Sequence, residues 1–413
     1  MRASGVICEF NPFHNGHAYL LSRMREEVGE EGCVICLMSG RFVQRGEAAV
    51  ADPYLRGLTA LSGGADLVLE LPFPWSAGSA EFFASAGVEL LTRLGVDRIA
   101  FGSESGNLSL LTAAAEAVDS SAFTTAYADL CNAGMGTAAA YTEALRCACE
   151  APLPDGFPSS NDLLGIAYLS ALRRIDRREG SAPIPMTVTR LGSGYREDTL
   201  TQGVYPSATA LRILLREAAC DPTALEAMLE GTMPGEGLAA LLKSVEEGDA
   251  PIEGDRLLPL YHALCRLRSP GDMEATAEWG GGLAGHICRH ARTAATPEAF
   301  FDSLRTRQYT DARLRRALLF GAVDVTEEDL RTMPAYTTLL AANRRGCAFL
   351  KAWRKANKDA PDGFCVVTKP ADAPEGRQRE LSDTADALFT LCFPTPREAG
   401  EMYRRRPWIR EEE

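Results

Sequence analysis

Two short strings carry residue types that chemistry needs: His14-Asn-Gly-His17, after the apolar run Ser4 to Glu9, and Pro206-Ser-Ala-Thr-Ala-Leu-Arg212, at the start of a later helical pattern. Two histidines three residues apart at a helix N-terminus share one face with unpaired backbone N–H groups and the positive end of the helix dipole, an arrangement that suits an anion. Gly16 between them leaves room for a phosphate or another backbone to come close. Imidazoles placed there can donate hydrogen bonds to a phosphoryl group and to the charge that builds on it in a displacement. The same pair fits a helix cap or half of a metal site, but the remaining histidines, His262, His286 and His290, lie far along the chain. In the second string Ser207 suits a helix N-cap, Thr209 falls in the first turn, and Arg212 follows one turn later. Alone this is a capped helix with a solvated arginine. Together the two strings make a clamp for a nucleoside triphosphate, one end for the reacting phosphate and the other for the leaving pyrophosphate.

The elements that must position these residues follow from periodicity. Ser4 to Glu9, Cys33 to Met38, Ala65 to Leu71 and Val96 to Phe101 are short, branched apolar runs and read as buried strands. Between them Gly16 to Val28, Pro53 to Ser62 and Ser79 to Leu94 have helical spacing, with Asp52 as N-cap ahead of Pro53. Alternating buried strands and helices predict a doubly wound α/β domain with a parallel sheet. Residues 107 to 150 read as alanine-rich helix, Asn161 to Arg174 as another, and Pro183 to Leu191 as a fifth strand before a turn at Gly192-Ser-Gly194. From Ser207 onward the chain reads as mostly helical, with breaks at Gly280-Gly281-Gly282 and between Asp359 and Gly363. In an open parallel sheet ligands bind beyond the carboxyl ends of the strands, which is where His14 and His17 fall.

Composition bounds the rest. A chain of 413 residues, 46% hydrophobic and 24% charged, can bury a substantial core and is neither disordered nor collagen-like. No uncharged run reaches membrane-spanning length, and Glu9 interrupts the first apolar stretch, so the expectation is a cytoplasmic protein. The single C-x-x-C, Cys33 to Cys36, lies inside a strand pattern without a second ligand pair and reads as buried thiols. The net charge of −13 is uneven: residues 301–413 hold 20 Lys+Arg against 18 Asp+Glu, so the acidic excess lies in the first 300 residues. That excludes a promiscuous nucleic-acid coat and leaves room for a limited basic patch.

Longer strings carry a resemblance. His14 to His17 resembles the His-x-Gly-His signature of the nucleotidyltransferase superfamily, and Ser207 to Arg212 its Ser-x-Thr-x-x-Arg partner. Glu9-Phe-Asn-Pro-Phe-His-Asn-Gly-His17, Met38-Ser-Gly-Arg-Phe-Val-Gln-Arg-Gly-Glu47, Ala65-Asp-Leu-Val-Leu-Glu-Leu-Pro72 and Phe101-Gly-Ser-Glu104 resemble, in order, the bacterial tRNA(Met) cytidine acetate ligase family, with weaker echoes in Arg307-Gln-Tyr-Thr310 and Ala342-Asn-Arg-Arg-Gly346. The resemblance implies a Rossmann-type catalytic domain over 1–215 and a helical, tRNA-handling domain over 216–413. It also implies activation of acetate by ATP as acetyl-adenylate, then transfer to the wobble cytidine of elongator tRNA(Met), with His14, His17 and Arg212 catalytic. ATP would be held by Ile7, Cys8, Glu9, Phe10, Asn11, Pro12, Phe13, His14, Asn15, Gly16, His17, Ala18, Tyr19 and Leu20, with Gly102, Asn161, Arg190, Ser207, Thr209 and Arg212. The chain departs from the family at Ser159-Ser160, where Lys-Pro is common, at Arg41, where a smaller or uncharged residue is frequent, and at Arg196, where His is common.

For tRNA, Arg45 in the loop Ser39 to Glu47 and the cluster Arg305, Arg313, Arg315 and Arg316 are the candidates; on one helix 305, 313 and 316 would share a basic face beside Tyr309. Mg²⁺ is expected with ATP, held by phosphates and water, since no carboxylate cluster marks a protein metal site. Oligomeric state leaves no signature. Two rivals stand: an adenylyltransferase acting on a small phosphorylated metabolite, and an inactive RNA-binding relative.

Overall fold

The computed structural model describes residues 1–190, 206–358 and 363–411. The five expected strands form as β1 (Ala3–Cys8), β2 (Cys33–Ser39), β3 (Leu67–Leu71), β4 (Arg98–Ser103) and β5 (Ile184–Thr189). Every residue of β2 and β3 is buried, as a strand covered on both faces must be. Neighbouring pairs among these five are parallel, in the order β5-β4-β1-β2-β3. The chain therefore winds outward from β1 through β3 and then returns to place β4 on the other side of β1. This reversal opens a crevice above the carboxyl ends of β1 and β4, the place where doubly wound folds bind ligands.

Local chemistry explains the helices on either face. Pro53 opens the helix Pro53–Ser62 and the Asp52 carboxylate accepts from the Tyr54 N–H at 2.8 Å. The stretch expected as one helix over 107–150 divides into Leu108–Val118, Ser121–Asn132 and Thr137–Ala148. Ser120 breaks it by capping the second segment, and Gly134 turns the chain with φ of 86° before the third.

The sheet does not stop at residue 215. The strands β6 (Tyr336–Ala342), β7 (Cys365–Val367) and β8 (Trp408–Ile409) extend it beyond β3. β6 runs antiparallel to β3, and β7 and β8 run parallel to β6. A fully buried β3 cannot serve as a solvent edge, and the equally buried β6 covers it. Leu339, Phe349, Leu350 and Trp353 accordingly join the core built by the first half of the chain. The boundary expected at 215 falls within this sheet, which takes strands from both sides of it. The remainder of the second half is helical, as expected, with a core around Trp279, Phe300, Phe320 and Phe389 that also takes in Phe42 and Phe73.

Cys33 and Cys36 are buried and unbonded, and burial pushes the Cys33 thiol well up. Among the described residues no helix is long and apolar enough to cross a membrane. The expected turn at Gly192 to Gly194, Arg196, and the break from Asp359 as far as Asp362 lie outside the described residues.

Candidate active site

The chain leaves β1 at Glu9 and must turn into the helix Asn15–Val28 within a few residues. Phe10 takes the left-handed region, with φ of 46°, which is uncommon for a bulky residue and concentrates at functional sites. Burial holds it there: Phe10 is 1% exposed and packs edge-on against Phe13, with ring centroids 4.8 Å apart. The Asn11 side chain accepts from the Val50 N–H at 2.7 Å and ties the turn to the chain before Pro53.

His14 is the N-cap of the following helix. Its Nδ1 accepts from the Gly16 N–H at 3.1 Å, and the His14 N–H donates to His17 Nδ1 at 3.2 Å, a reciprocal capping box made of imidazoles. The two rings stack with centroids 3.7 Å apart. Because each Nδ1 accepts a backbone proton, each neutral ring carries its own proton on Nε2. Burial, helped by the Arg190 charge, pushes the His14 pKa down to about 3. Burial, with His14 and Arg190 nearby, lowers that of His17 well below its usual value. The pair therefore presents two neutral Nε2–H donors at a helix N-terminus. The cap and the phosphate-binding reading of this motif are one arrangement: capping sets the tautomer that leaves Nε2–H available.

Of the stretch from Ile7 to Leu20, all residues except Pro12, Phe13, Asn15 and Ala18 line one cleft, together with Gly102, Asn161, Arg190, Ser207, Thr209 and Arg212. Phe13 is instead buried against Gly63, and Asn15 donates from its backbone to the Thr232 carbonyl and from its side chain to the Gly231 carbonyl, both at 2.8 Å. Asn15 thus clamps the first helix to the helical half. Ser207 caps the helix Ala208–Glu217 by accepting from the Ala210 N–H at 3.1 Å. Arg212 donates to the Asn11 carbonyl at 2.8 Å and to Thr209 Oγ1 at 3.1 Å, which joins the two strings although 201 positions separate Arg212 from Asn11. Arg190 follows β5, and its stem lies over Gly102, where a Cβ would stand 3.3 Å from Arg190 Cγ.

Asn161 is not a helix cap. Ser159 caps the helix Ser160–Glu179, with Asp162 completing the box, and the Asn161 side chain donates to Glu104. The departure at Ser159-Ser160 thus has a local role. Burial raises the Asp162 carboxylate, but bonds from Ser103, Ser159 and Ser105 outweigh this and hold it below its ordinary value. Arg41 does not line the cleft; it is buried and paired with Glu70 and Asp386.

A residue that the motif reading passed over organises the cleft floor. Arg56 is 1% exposed and donates to the carbonyls of Glu9 (2.6 Å), Ser39 (3.0 Å), Gly40 and Ala51 (3.1 Å). It gathers the ends of β1 and β2 around one cation, and burial lowers its pKa to about 10. Its only sequence signal was a charge on the buried face of an otherwise apolar helix.

The loop after β2 contributes Val43, Gln44, Arg45 and Glu47 to the cleft, with the Gln44 N–H on Glu9 Oε1 at 2.7 Å. Gly46 at its tip has φ of 73°, and a Cβ there would lie 2.5 Å from the Arg316 backbone nitrogen. The loop therefore rests directly on the helix Asp311–Val323. The basic face expected on that helix does not form. Arg305 lies past the end of the preceding helix and pairs with Asp302 and Asp311. Arg313 and Arg316 converge on Glu278, at 3.7 and 2.8 Å, and Arg316 is 9% exposed. Arg315 pairs with Asp255 and Glu47 at 2.6 and 3.4 Å, and Tyr309 is buried. These arginines neutralise carboxylates and buttress the loop.

Among the described residues no group of three or more histidine, cysteine or acidic side chains is placed to hold a metal ion. The cleft supplies cations and neutral donors, which suit the phosphates of a nucleotide better than a bare divalent ion.

The chain matches the family model described as HIGH Nucleotidyl Transferase over residues 1–402. It is 33% identical to the tRNA(Met) cytidine acetate ligase of Acetivibrio thermocellus, over 98% of each chain, and 36% identical to that of Syntrophotalea carbinolica, over 87% of this chain and 84% of the other. Two crystal structures of Thermotoga maritima TmcAL, each 26% identical, superpose over the full length of both chains: an apo form at a TM-score of 0.86 and a form bound with alpha-thio ATP at 0.83. With both strings meeting in one cleft and the likeness running the length of the chain, the protein belongs to the HIGH nucleotidyl transferase family and, within it, to the tRNA(Met) cytidine acetate ligases.

Proposed function

We propose that this protein activates acetate with ATP and acetylates the wobble cytidine of elongator tRNA(Met) to N4-acetylcytidine. The observation that carries the reading is the union, at the switch point of the sheet, of two neutral imidazoles with Arg212, Arg190 and Arg45. In the first step an acetate oxygen attacks the α-phosphorus in line, the bond to the β-phosphate oxygen breaks, and pyrophosphate leaves with its charge. His14 and His17 donate from Nε2 to the α-phosphoryl oxygens as charge builds there, and the arginines hold the departing pyrophosphate. No nucleophilic side chain is needed, because acetate is the nucleophile. In the second step the cytidine N4 amine attacks the acetyl carbonyl, loses a proton and expels AMP. Mg²⁺ enters as part of the nucleotide substrate, bound by phosphates and water. Residues 1–215 supply most of this cleft, and residues 216–413 handle the RNA. Such a reaction places the protein in the cytoplasm.

Incubation with ATP, labelled acetate and unmodified elongator tRNA(Met) should yield labelled acetylcytidine. His14→Ala or His17→Ala should abolish acetate-dependent pyrophosphate release in a protein that still folds. Absence of any acetate-dependent product, or turnover unchanged in both variants, overturns the reading and favours adenylyl transfer to a small phosphorylated metabolite.

A further inference from the structure

A second cavity lies where β3 begins and β6 ends. Its wall includes Ser22, Arg25, Asp66, Arg344, Arg345 and Arg410. Asp66 is 1% exposed and pairs with both Arg25 and Arg345, so two of the four guanidiniums are held in fixed positions. Glu236 pairs with Arg410 from outside the wall. Four cations thus line the wall against one buried carboxylate within it. Asn343 caps the helix Arg344–Ala356 that starts here, so the unpaired N–H groups of its first turn add to the same potential.

That helix is the more informative half of the site. Its 13 residues, Arg344–Ala356, contain five cations (Arg344, Arg345, Lys351, Arg354 and Lys355) and no aspartate or glutamate. Phe349, Leu350 and Trp353 face the core, while Arg344, Lys351 and Lys355 recur at helical spacing on the exposed side. No ion pair involves these three among the described residues. Because β6 is antiparallel to β3, the helix after it runs back toward the carboxyl edge of the parallel strands, where the cleft opens. A row of cations thus runs from the cavity along this helix. Beside the cavity, β8 exposes Trp408 at 49% and Ile409 at 47%, next to Arg410. An exposed tryptophan on a sheet edge, next to a cavity from which a cationic helix starts, is the combination that single-stranded and loop RNA uses: phosphates on the cations, an unstacked base on the ring.

We propose that the helix Arg344–Ala356, the cavity at its N-terminus and Trp408 form the surface that holds the sugar-phosphate backbone of the RNA substrate. The proposal rests on the tRNA reading above and locates the RNA on a surface separate from the nucleotide cleft.

The test measures binding of an unmodified elongator tRNA(Met) transcript across a salt series, for the unaltered protein, for Arg344→Glu with Lys351→Glu and Lys355→Glu, and for Trp408→Ala. The triple variant should bind at least about tenfold more weakly at 0.1 M salt, and the slope of log affinity against log salt should fall by about two. Trp408→Ala should lose on the order of tenfold with the slope unchanged. Acetate-dependent ATP–pyrophosphate exchange without tRNA should stay at the unaltered level in both, which also reports that they fold; should charge reversal prevent folding, the three Gln substitutions replace it. Affinity and slope both unchanged in the triple variant overturn the surface, as does binding of inorganic phosphate that Arg344→Glu abolishes while RNA affinity holds. The two readings fail separately. Acetylcytidine formation by the unaltered protein with no loss of RNA affinity in the variants removes the surface alone, whereas weakened RNA binding in the variants with no acetylcytidine from the unaltered protein removes the proposed reaction alone.

Discussion

The helices Asp311–Val323 and Arg344–Ala356 both carry clusters of arginine, and they dispose of the charge in opposite ways. On the first, Arg313 and Arg316 end on Glu278, and Arg315 on Asp255 and Glu47. The acids come from distant segments, and the helix is wedged between the cleft loop and the helical core. On the second no acid lies within the helix, and Arg344, Lys351 and Lys355 face solvent. Counting charges along the sequence favours the first helix as a nucleic-acid surface. Pairing them in space favours the second, because a cation already bonded to a carboxylate releases little counterion on meeting a phosphate.

The strongest way to break this contrast is to remove the shared acid. Glu278→Ala leaves Arg316 buried without a partner and should cost about 3–5 kcal/mol in urea unfolding, while replacing Glu278 and Arg316 together by leucine and methionine should recover most of it. A Glu278→Ala protein of normal stability would show that Arg316 is better solvated than its burial indicates. Next in size, Gly46→Ala forces a side chain into the Arg316 backbone at a left-handed φ; it should cost about 1–3 kcal/mol and raise the KM for ATP through Gln44 and Arg45. An unchanged KM would separate the cleft loop from the helix beneath it. Smaller still, Arg315→Ala should lower stability by about 1 kcal/mol or less and leave the salt dependence of tRNA binding alone, whereas Lys351→Ala should do the reverse. The contrast collapses if the two exchange behaviour.

Above pH 6.5 the least change is expected. The folded His14 pKa of about 3 lies below its ordinary 6.5, so the unfolded chain takes up a proton that the folded chain refuses. Stability should be unaffected by this group above pH 6.5 and fall progressively as pH drops from there toward 3. Nitrogen NMR of the two imidazoles should show neutral Nε2–H tautomers throughout pH 5.5 to 8; titration of either ring near 6.5 would remove the neutral-donor account of the cleft.

Much of the site was legible before folding was considered. His14, His17 and Arg212 could be read from spacing because helix caps and first turns are local: the side chain that caps and the N–H that it meets lie within three residues of each other. The strands β1 to β5 were legible because buried parallel strands are short branched runs whose register the alternating helices enforce. What escaped was what depends on partners far away in sequence. Arg56 looks like a stray charge until the carbonyls of Glu9, Ser39 and Gly40 are brought around it. β6 reads as a piece of a helical half until β3 requires an edge partner.

By itself, then, the sequence determined the class of fold, the crevice at the end of β1, and the two strings that face each other across it, since each is written in local pattern. Only the tertiary structure decided which arginines are consumed by carboxylates, which glycine lets one half of the chain rest on the other, and where the sheet ends. Charge pairing and burial are sums over neighbours in space, and a linear sequence does not order residues by distance in space.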